Sequence, residues 1–226
     1  MGLGSYLIYI ALLMIIPMWA QSKVKSTYTK YSKKPTSSSM TGAEVARKIL
    51  DENGLYDVQI GQVKGTLSDH YDPRKKVIKL SEGIFHGRSM ASSAVAAHEV
   101  GHAIQDEQEY AFLKMRSALV PIANFGSNIS FFFILAGIFF SMTNMLLLGI
   151  IFMSAAVLFQ LVTLPVEFDA SNRAMTQLVS AGVINNNEER ETKKVLNAAA
   201  LTYVAAALVA VAELLRFVLI YLSQRD

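Results

Sequence analysis

Cysteine is absent from the 226-residue chain, and charged residues make up only 17% of it. The first absence excludes disulfides and thiolate metal sites, so any transition-metal ion would have to be held by histidine and carboxylate. Histidine is itself scarce, with four in all, and the search for such ligands is correspondingly narrow. The shortage of charge accompanies 52% hydrophobic residues gathered into long blocks, which argues for a bilayer rather than a water-soluble core. A net charge of +3 and a pI near 9.0 do not amount to a nucleic-acid footprint. The lysines cluster beside an apolar block, where they read as an orientation signal, and no nucleic-acid partner is expected. The length suits one integrated architecture rather than two large soluble domains.

Four apolar stretches are long enough to span a bilayer: Leu3 to Ala20, Ile122 to Phe140, Met145 to Leu164 and about Ala198 to Leu222. The first lacks the leading positive charge and small-residue cleavage site of a secretory signal, so it reads as an uncleaved anchor. Lys23, Lys25, Lys30, Lys33 and Lys34 follow it and place the N-terminus outside and the next segment in the cytoplasm. The second and third stretches form a helical hairpin around Ser141 to Asn144, leaving the cytoplasm after Pro121 and returning near Pro165. Arg173, Arg190, Lys193 and Lys194 again mark the cytoplasmic side. In the last span Glu213 and Arg216 lie three residues apart on one helix face. They either pair or leave the arginine to reach for the interface.

Residues 30–40, rich in serine and lysine, read as a flexible linker. Thr41 and Glu44 match a capping box, Ala46, Ile49 and Leu50 supply an apolar face, and Gly54 is a helix stop. Val58 with Ile60, and the stretch around Val77 to Leu80, alternate as two short strands. A second helix starts near Ser89 and runs at least to Tyr110, with Pro121 marking the next break.

That second helix carries the run HEVGH. His98 and His102, four residues apart, project from one helix face a turn apart and can share one ion. Glu99 points to the adjacent side, where a carboxylate can act as general base on a metal-activated water without taking a ligand position. The competing reading, a solvated polar face, fits poorly with the small apolar run from Ser92 to Ala97. A catalytic zinc takes three protein ligands and keeps one open position. The arrangement HExxHxxGxxH is excluded, because Gln105 and Gln108 stand where glycine and the third histidine would be. Glu167 is the candidate third ligand: it follows a span, opens the helical segment EFDASNRAMTQL, and falls on the same side of the membrane as the histidines by the charge rule. Its competing role is to cap the first turn of that helix. His70 is a candidate oxyanion stabiliser or a surface turn histidine, and His86 is structural. Arg173 and Tyr203 are candidate transition-state donors, with topology marking and packing as their ordinary roles. Gly101 costs helix stability and either allows a neighbouring helix to come close or is simply tolerated there.

The stretches DHYDPRKKVIKLSEGIF, SSAVAAHEVGHAIQ and LPVEFDASNRA resemble the YugP-type neutral zinc metallopeptidases of bacterial membranes, over most of the chain. They are more distantly similar to the HtpX-like and CAAX prenyl-processing membrane proteases, in which the glutamate opening an ExxAD-type motif is the third zinc ligand. That resemblance implies the same role for Glu167. The broader motif's aspartate falls on Ser171, so the carboxylate that would orient a histidine is missing, and Asp169 lies on the wrong face to replace it simply. The resemblance also implies that the strand near Lys76 to Leu80 borders the cleft and pairs with an extended peptide by strand addition.

The expectation is a mainly α membrane protein, multi-pass in the cell membrane, with about four transmembrane helices and a small α+β, zincin-like and gluzincin-like catalytic region facing the cytoplasm. Its parts are a membrane anchor (1–22), a basic linker (23–40), the catalytic region (41–120), a membrane hairpin (121–165), a cytoplasmic helical segment with the third ligand (166–197) and a last span (198–226). The expected activity is zinc-dependent endopeptidase hydrolysis of a protein or peptide substrate, with His98, His102 and Glu167 as metal ligands and Glu99 as catalytic base. The rival is a non-catalytic membrane scaffold or sensor that binds metal. Oligomeric state does not follow from the sequence.

Overall fold

A computed structural model describes residues 3–224. Among them are seven helices and three strands: α1 (Leu3–Tyr31), α2 (Gly42–Glu52), β1 (Gln59–Val63), β2 (His70–Asp72), β3 (Val77–Ser81), α3 (Glu82–Phe85), α4 (Met90–Glu107), α5 (Ala111–Phe139), α6 (Thr143–Ser180) and α7 (Asn186–Ser223). They divide into two compact units. One comprises residues 1–18, 111–165 and 203–226, the other 19–110 and 166–202.

The first unit is helical and apolar on its outside. Phe132 is 68% exposed and Phe139 77%, far beyond what a water-facing helix carries as a band, and such surface calls for lipid. Three helices among the described residues, α5, α6 and α7, are long and apolar enough to cross a membrane. The α5–α6 turn falls at residues 140–142, where Ser141 takes a positive φ of 53°. A Cβ on Gly126 would lie 2.7 Å from the Phe152 carbonyl oxygen, so glycine lets α5 and α6 approach backbone to backbone, as helices in lipid do. Within this unit Arg216 donates to Glu213 Oε2 at 2.6 Å, and the two charges compensate each other.

Helix bounds differ from expectation in one consistent way. Pro121 and Pro165 lie inside α5 and α6 rather than at their ends, because apolar neighbours in a membrane helix accommodate a proline that would stop a helix in water. The break after α4 falls earlier, at Gln108, and Glu109 reverses the chain with φ 54°. Glu167 therefore sits within a continuous helix and does not open one.

The second unit holds the mixed core. Thr41 and Glu44 form both halves of the capping box. Val45, Ala46, Ile49 and Leu50 bury one face of α2 completely, packing with α4, Ile78, Leu80 and Ile84 in one cluster. The sheet has the order β1-β3-β2, with β1 parallel and β2 antiparallel to β3. Strand β2, with three residues, is too short to show a period in the sequence. Its presence makes β3 the middle strand, which corrects the expectation of substrate addition near Lys76 to Leu80: both sides of β3 are occupied. The Ser81 N–H at its end donates to Asp69 Oδ1 at 2.6 Å.

The basic stretch after the anchor is not a free linker. With neither glycine nor proline between residues 18 and 34, α1 continues to Tyr31, which is 2% exposed. Beyond it Met90 N–H donates to the Lys34 carbonyl at 2.8 Å, and Pro35 bridges Ser89. The Glu188 carboxylate accepts from Ser37 N–H at 2.8 Å and its hydroxyl at 2.6 Å. These bonds, spread along a segment without apolar periodicity, offer nothing a sequence pattern detects.

Leu50→Ala should lower the unfolding free energy by about 2–5 kcal/mol through the cavity it leaves, measured by denaturant unfolding of the purified protein in detergent. A wild-type midpoint would contradict the packing described.

Candidate metal centre

Helix α4 supplies HEVGH and is capped by Ser89, whose hydroxyl accepts from Ser92 N–H at 3.1 Å. Its middle is buried almost all round, as its small side chains allow. Gly101 is the reason it can lie against α6: a Cβ there would sit 2.5 Å from the Ala170 carbonyl oxygen. The close approach anticipated for that glycine is realised, and it brings the histidines to the α6 segment that carries Glu167.

His98 Nε2 lies 3.2 Å and His102 Nε2 3.6 Å from the same Glu167 oxygen. One ligand atom from each of the three residues falls within 4.8 Å of the others, so the group could hold a metal ion. The donor set suits zinc: two imidazoles and one carboxylate, which leave one tetrahedral position open for chemistry. The Glu167 side chain is 3% exposed and those of His98 and His102 12% and 11%, so the rings keep slight access to solvent and the carboxylate almost none.

Glu99 is 7% exposed and turned about 100° from His98 around the helix. Burial pushes its carboxyl above the usual carboxylate range, partly offset by the nearby His98 and His102. Burial alone would push the His102 imidazole down, but the hydrogen bond and charge of Glu167, with the charge of Glu99, outweigh it and raise the pKa.

The far nitrogens of both rings also have partners. Ser171 Oγ is 3.2 Å from His98 Nδ1, and Gln105 Oε1 is 3.0 Å from His102 Nδ1. Gln105 in turn donates from Nε2 to Asp169 Oδ2 at 2.8 Å. In the sequence Gln105 marks only a departure from HExxHxxGxxH, and Asp169 is expected on the wrong face to serve a histidine directly. The signals were a polar residue one turn after His102 on a buried helix, and the i,i+4 spacing of Asp169 and Arg173.

The remaining candidates fall elsewhere. His70 begins β2, is exposed, and has Nδ1 2.9 Å from the Ser68 carbonyl. His86 caps the C-terminus of α3 and packs edge-on against Phe85. Arg173 binds Asp169 Oδ2 through Nε and Gln108 Oε1 through Nη1 at 2.6 Å. Tyr203 belongs to the helical membrane unit.

A family described as "Putative neutral zinc metallopeptidase" matches residues 6–222. The chain is also 56% identical over 211 residues to a Bacillus subtilis (strain 168) protein named "Putative membrane protease YugP", covering 93% of this chain and 94% of that one. No solved structure matches.

Two outcomes follow from the geometry. Gly101→Val should push α4 off α6 and abolish stoichiometric zinc binding while far-ultraviolet circular dichroism keeps its helical signal; retained metal would contradict the close contact. Metal uptake must also displace the proton that Glu167 helps His102 to keep. Zinc affinity should therefore fall on going from about pH 8 to about pH 5.5, the fall starting at higher pH than for an unpaired imidazole. Chelator competition across that range measures it.

Proposed function

Because the chain belongs to the neutral zinc metallopeptidase family, we propose that it is a gluzincin-like membrane endopeptidase in which His98, His102 and Glu167 hold the zinc and Glu99 is the catalytic base. The observation that carries this reading is the meeting of both histidine Nε2 atoms at one oxygen of the buried Glu167, with Glu99 on the same helix.

Zinc in this set would supply a Lewis acid that polarises the scissile carbonyl and makes an attacking water more acidic. The chain's own residues do the rest. Glu99 accepts a proton as the water oxygen bonds to the carbonyl carbon. It then delivers that proton to the departing amine nitrogen as the C–N bond breaks. Its burial suits the second half, since a carboxyl with a raised pKa keeps the proton until the amine departs. Glu167 and the two imidazoles are orienting groups that do not exchange protons with the peptide.

A peptide would be held in extended form along an edge of the sheet. With β3 enclosed, the antiparallel edge strand β2 is the place for it. Tyr71 on β2 donates to Asp106 Oδ2 of α4 at 2.9 Å, which ties that edge to the helix bearing the site. In the membrane, the apolar start of α1 would add a fourth span. The lysines at 23–34 and the basic residues of 173–194 would set the catalytic unit in the cytoplasm.

Glu99→Gln should keep one zinc per chain and lose about 10²–10⁴-fold of the proteolysis of an unfolded, casein-like substrate in detergent, whereas Glu167→Ala should lose the metal. Full activity in Glu99→Gln would refute the base. A zinc-loaded wild type that turns over no such substrate would point to a metal-binding scaffold instead.

A further inference from the structure

The proposed ligands leave a buried polar chain beside them unused. Gln105 is fully buried, and both ends of its amide are engaged. Nε2 lies 2.8 Å from the Val166 carbonyl oxygen and 2.8 Å from Asp169 Oδ2, while Oε1 lies 3.0 Å from His102 Nδ1. An amide nitrogen only donates and an amide oxygen only accepts. Turning the amide over would set its oxygen against the Val166 carbonyl, which has no proton to give, so the backbone dictates which end faces which way. Arg173 Nε donates to the same Asp169 oxygen and keeps that carboxylate an acceptor as well.

Once Oε1 faces His102, the tautomer is settled. An acceptor at Nδ1 requires the proton on Nδ1, so in the neutral ring that a metal binds the lone pair falls on Nε2, the nitrogen turned toward Glu167. His98 lacks this constraint. Its Nδ1 meets the Ser171 hydroxyl, which can donate or accept.

We propose that Gln105 is a positioning residue for the metal: locked by the Val166 carbonyl and Asp169, it holds His102 with its proton on Nδ1 and its Nε2 lone pair directed at the zinc. An amide thus stands in for the orienting carboxylate that Ser171 cannot supply, with Asp169 one hydrogen bond further out. The inference rests on the reading of His98, His102 and Glu167 as ligands.

The test uses full-length protein labelled with ¹⁵N-histidine in detergent, with ring nitrogens read by long-range nitrogen–proton correlation and His102 identified from the signals lost in His102→Asn. Wild type should bind added zinc through Nε2 of His102 and retain a slowly exchanging Nδ1 proton. Gln105→Met, similar in length and without the acceptor, should lose about ten- to a hundredfold in zinc affinity by chelator competition and expose that proton to fast exchange. Asp169→Asn, which still offers an oxygen to Gln105 while Val166 holds the amide, should stay close to wild type. Ser171→Ala should leave the His102 signals unchanged. Unaltered affinity and Nδ1 protection in Gln105→Met would overturn the inference alone, as would weaker zinc binding with the Nδ1 proton still protected. If the His102 nitrogens of wild type do not move on adding zinc, the ligand reading falls and this inference with it. Coordination through Nδ1 in wild type would overturn it without recourse to any variant, even should Gln105→Met fail to fold.

Discussion

A carboxylate almost out of reach of water governs the arrangement of the second unit. Glu167, 3% exposed on a helix whose neighbouring face is apolar, would cost several kcal/mol if left uncompensated. Two imidazoles meet it from α4, and they can do so only because Gly101 brings α4 within reach of the α6 backbone at Ala170. In the metal-free protein the compensation is the hydrogen bonding and charge shared between Glu167 and His102, which raise the pKa of that imidazole. With a divalent cation present, the same three groups offer neutral nitrogens and a negative oxygen. Folding and metal binding therefore draw on one electrostatic constraint, as in other sites whose ligands must lose protons to bind.

The α6 stretch from Val166 to Arg173 shows how densely a helix can serve such a constraint. Val166, Glu167, Ala170, Ser171, Ala174 and Leu178 are buried, the three- and four-residue spacing of one face. Along that face Ala170 makes the contact with Gly101, Glu167 meets both rings, and Ser171 reaches His98. Asp169 and Arg173, one position off the face and four apart, form an ion pair that ends on Gln105 and Gln108 of α4. Only Phe168 and Asn172 turn away, both exposed.

What the sequence made legible follows from how local each signal is. HEVGH, the capping box at Thr41 and Glu44, and the helical hairpin are written in residues a turn or a span apart, where helical periodicity or length is enough. Glu167 came from topology and from resemblance, both of which use the order of segments. Strand β2 was invisible because three residues define no period. Pro121 and Pro165 misled because rules for helix ends in water do not hold in an apolar setting. The linker misled because it is held by backbone groups, and every residue has those.

Gln105 belongs to a different class of miss. In the sequence it registers only as an absence, since it is not the residue that a known pattern requires. A glutamine one turn beyond His102, on a helix buried almost all round, cannot be inert: an amide in that setting must satisfy both ends or destabilise the helix by about 1–3 kcal/mol. Asking where its donor and acceptor could go leads to a carbonyl or carboxylate on one side and a ring nitrogen on the other. Asp169 is hidden for a related reason: its direction rules out a direct bond to histidine but not one to Gln105. With an amide interposed, the carboxylate's influence reaches His102 around the corner of the helix. The departure from the broader motif at Ser171 is thereby compensated on the other histidine rather than at the same position.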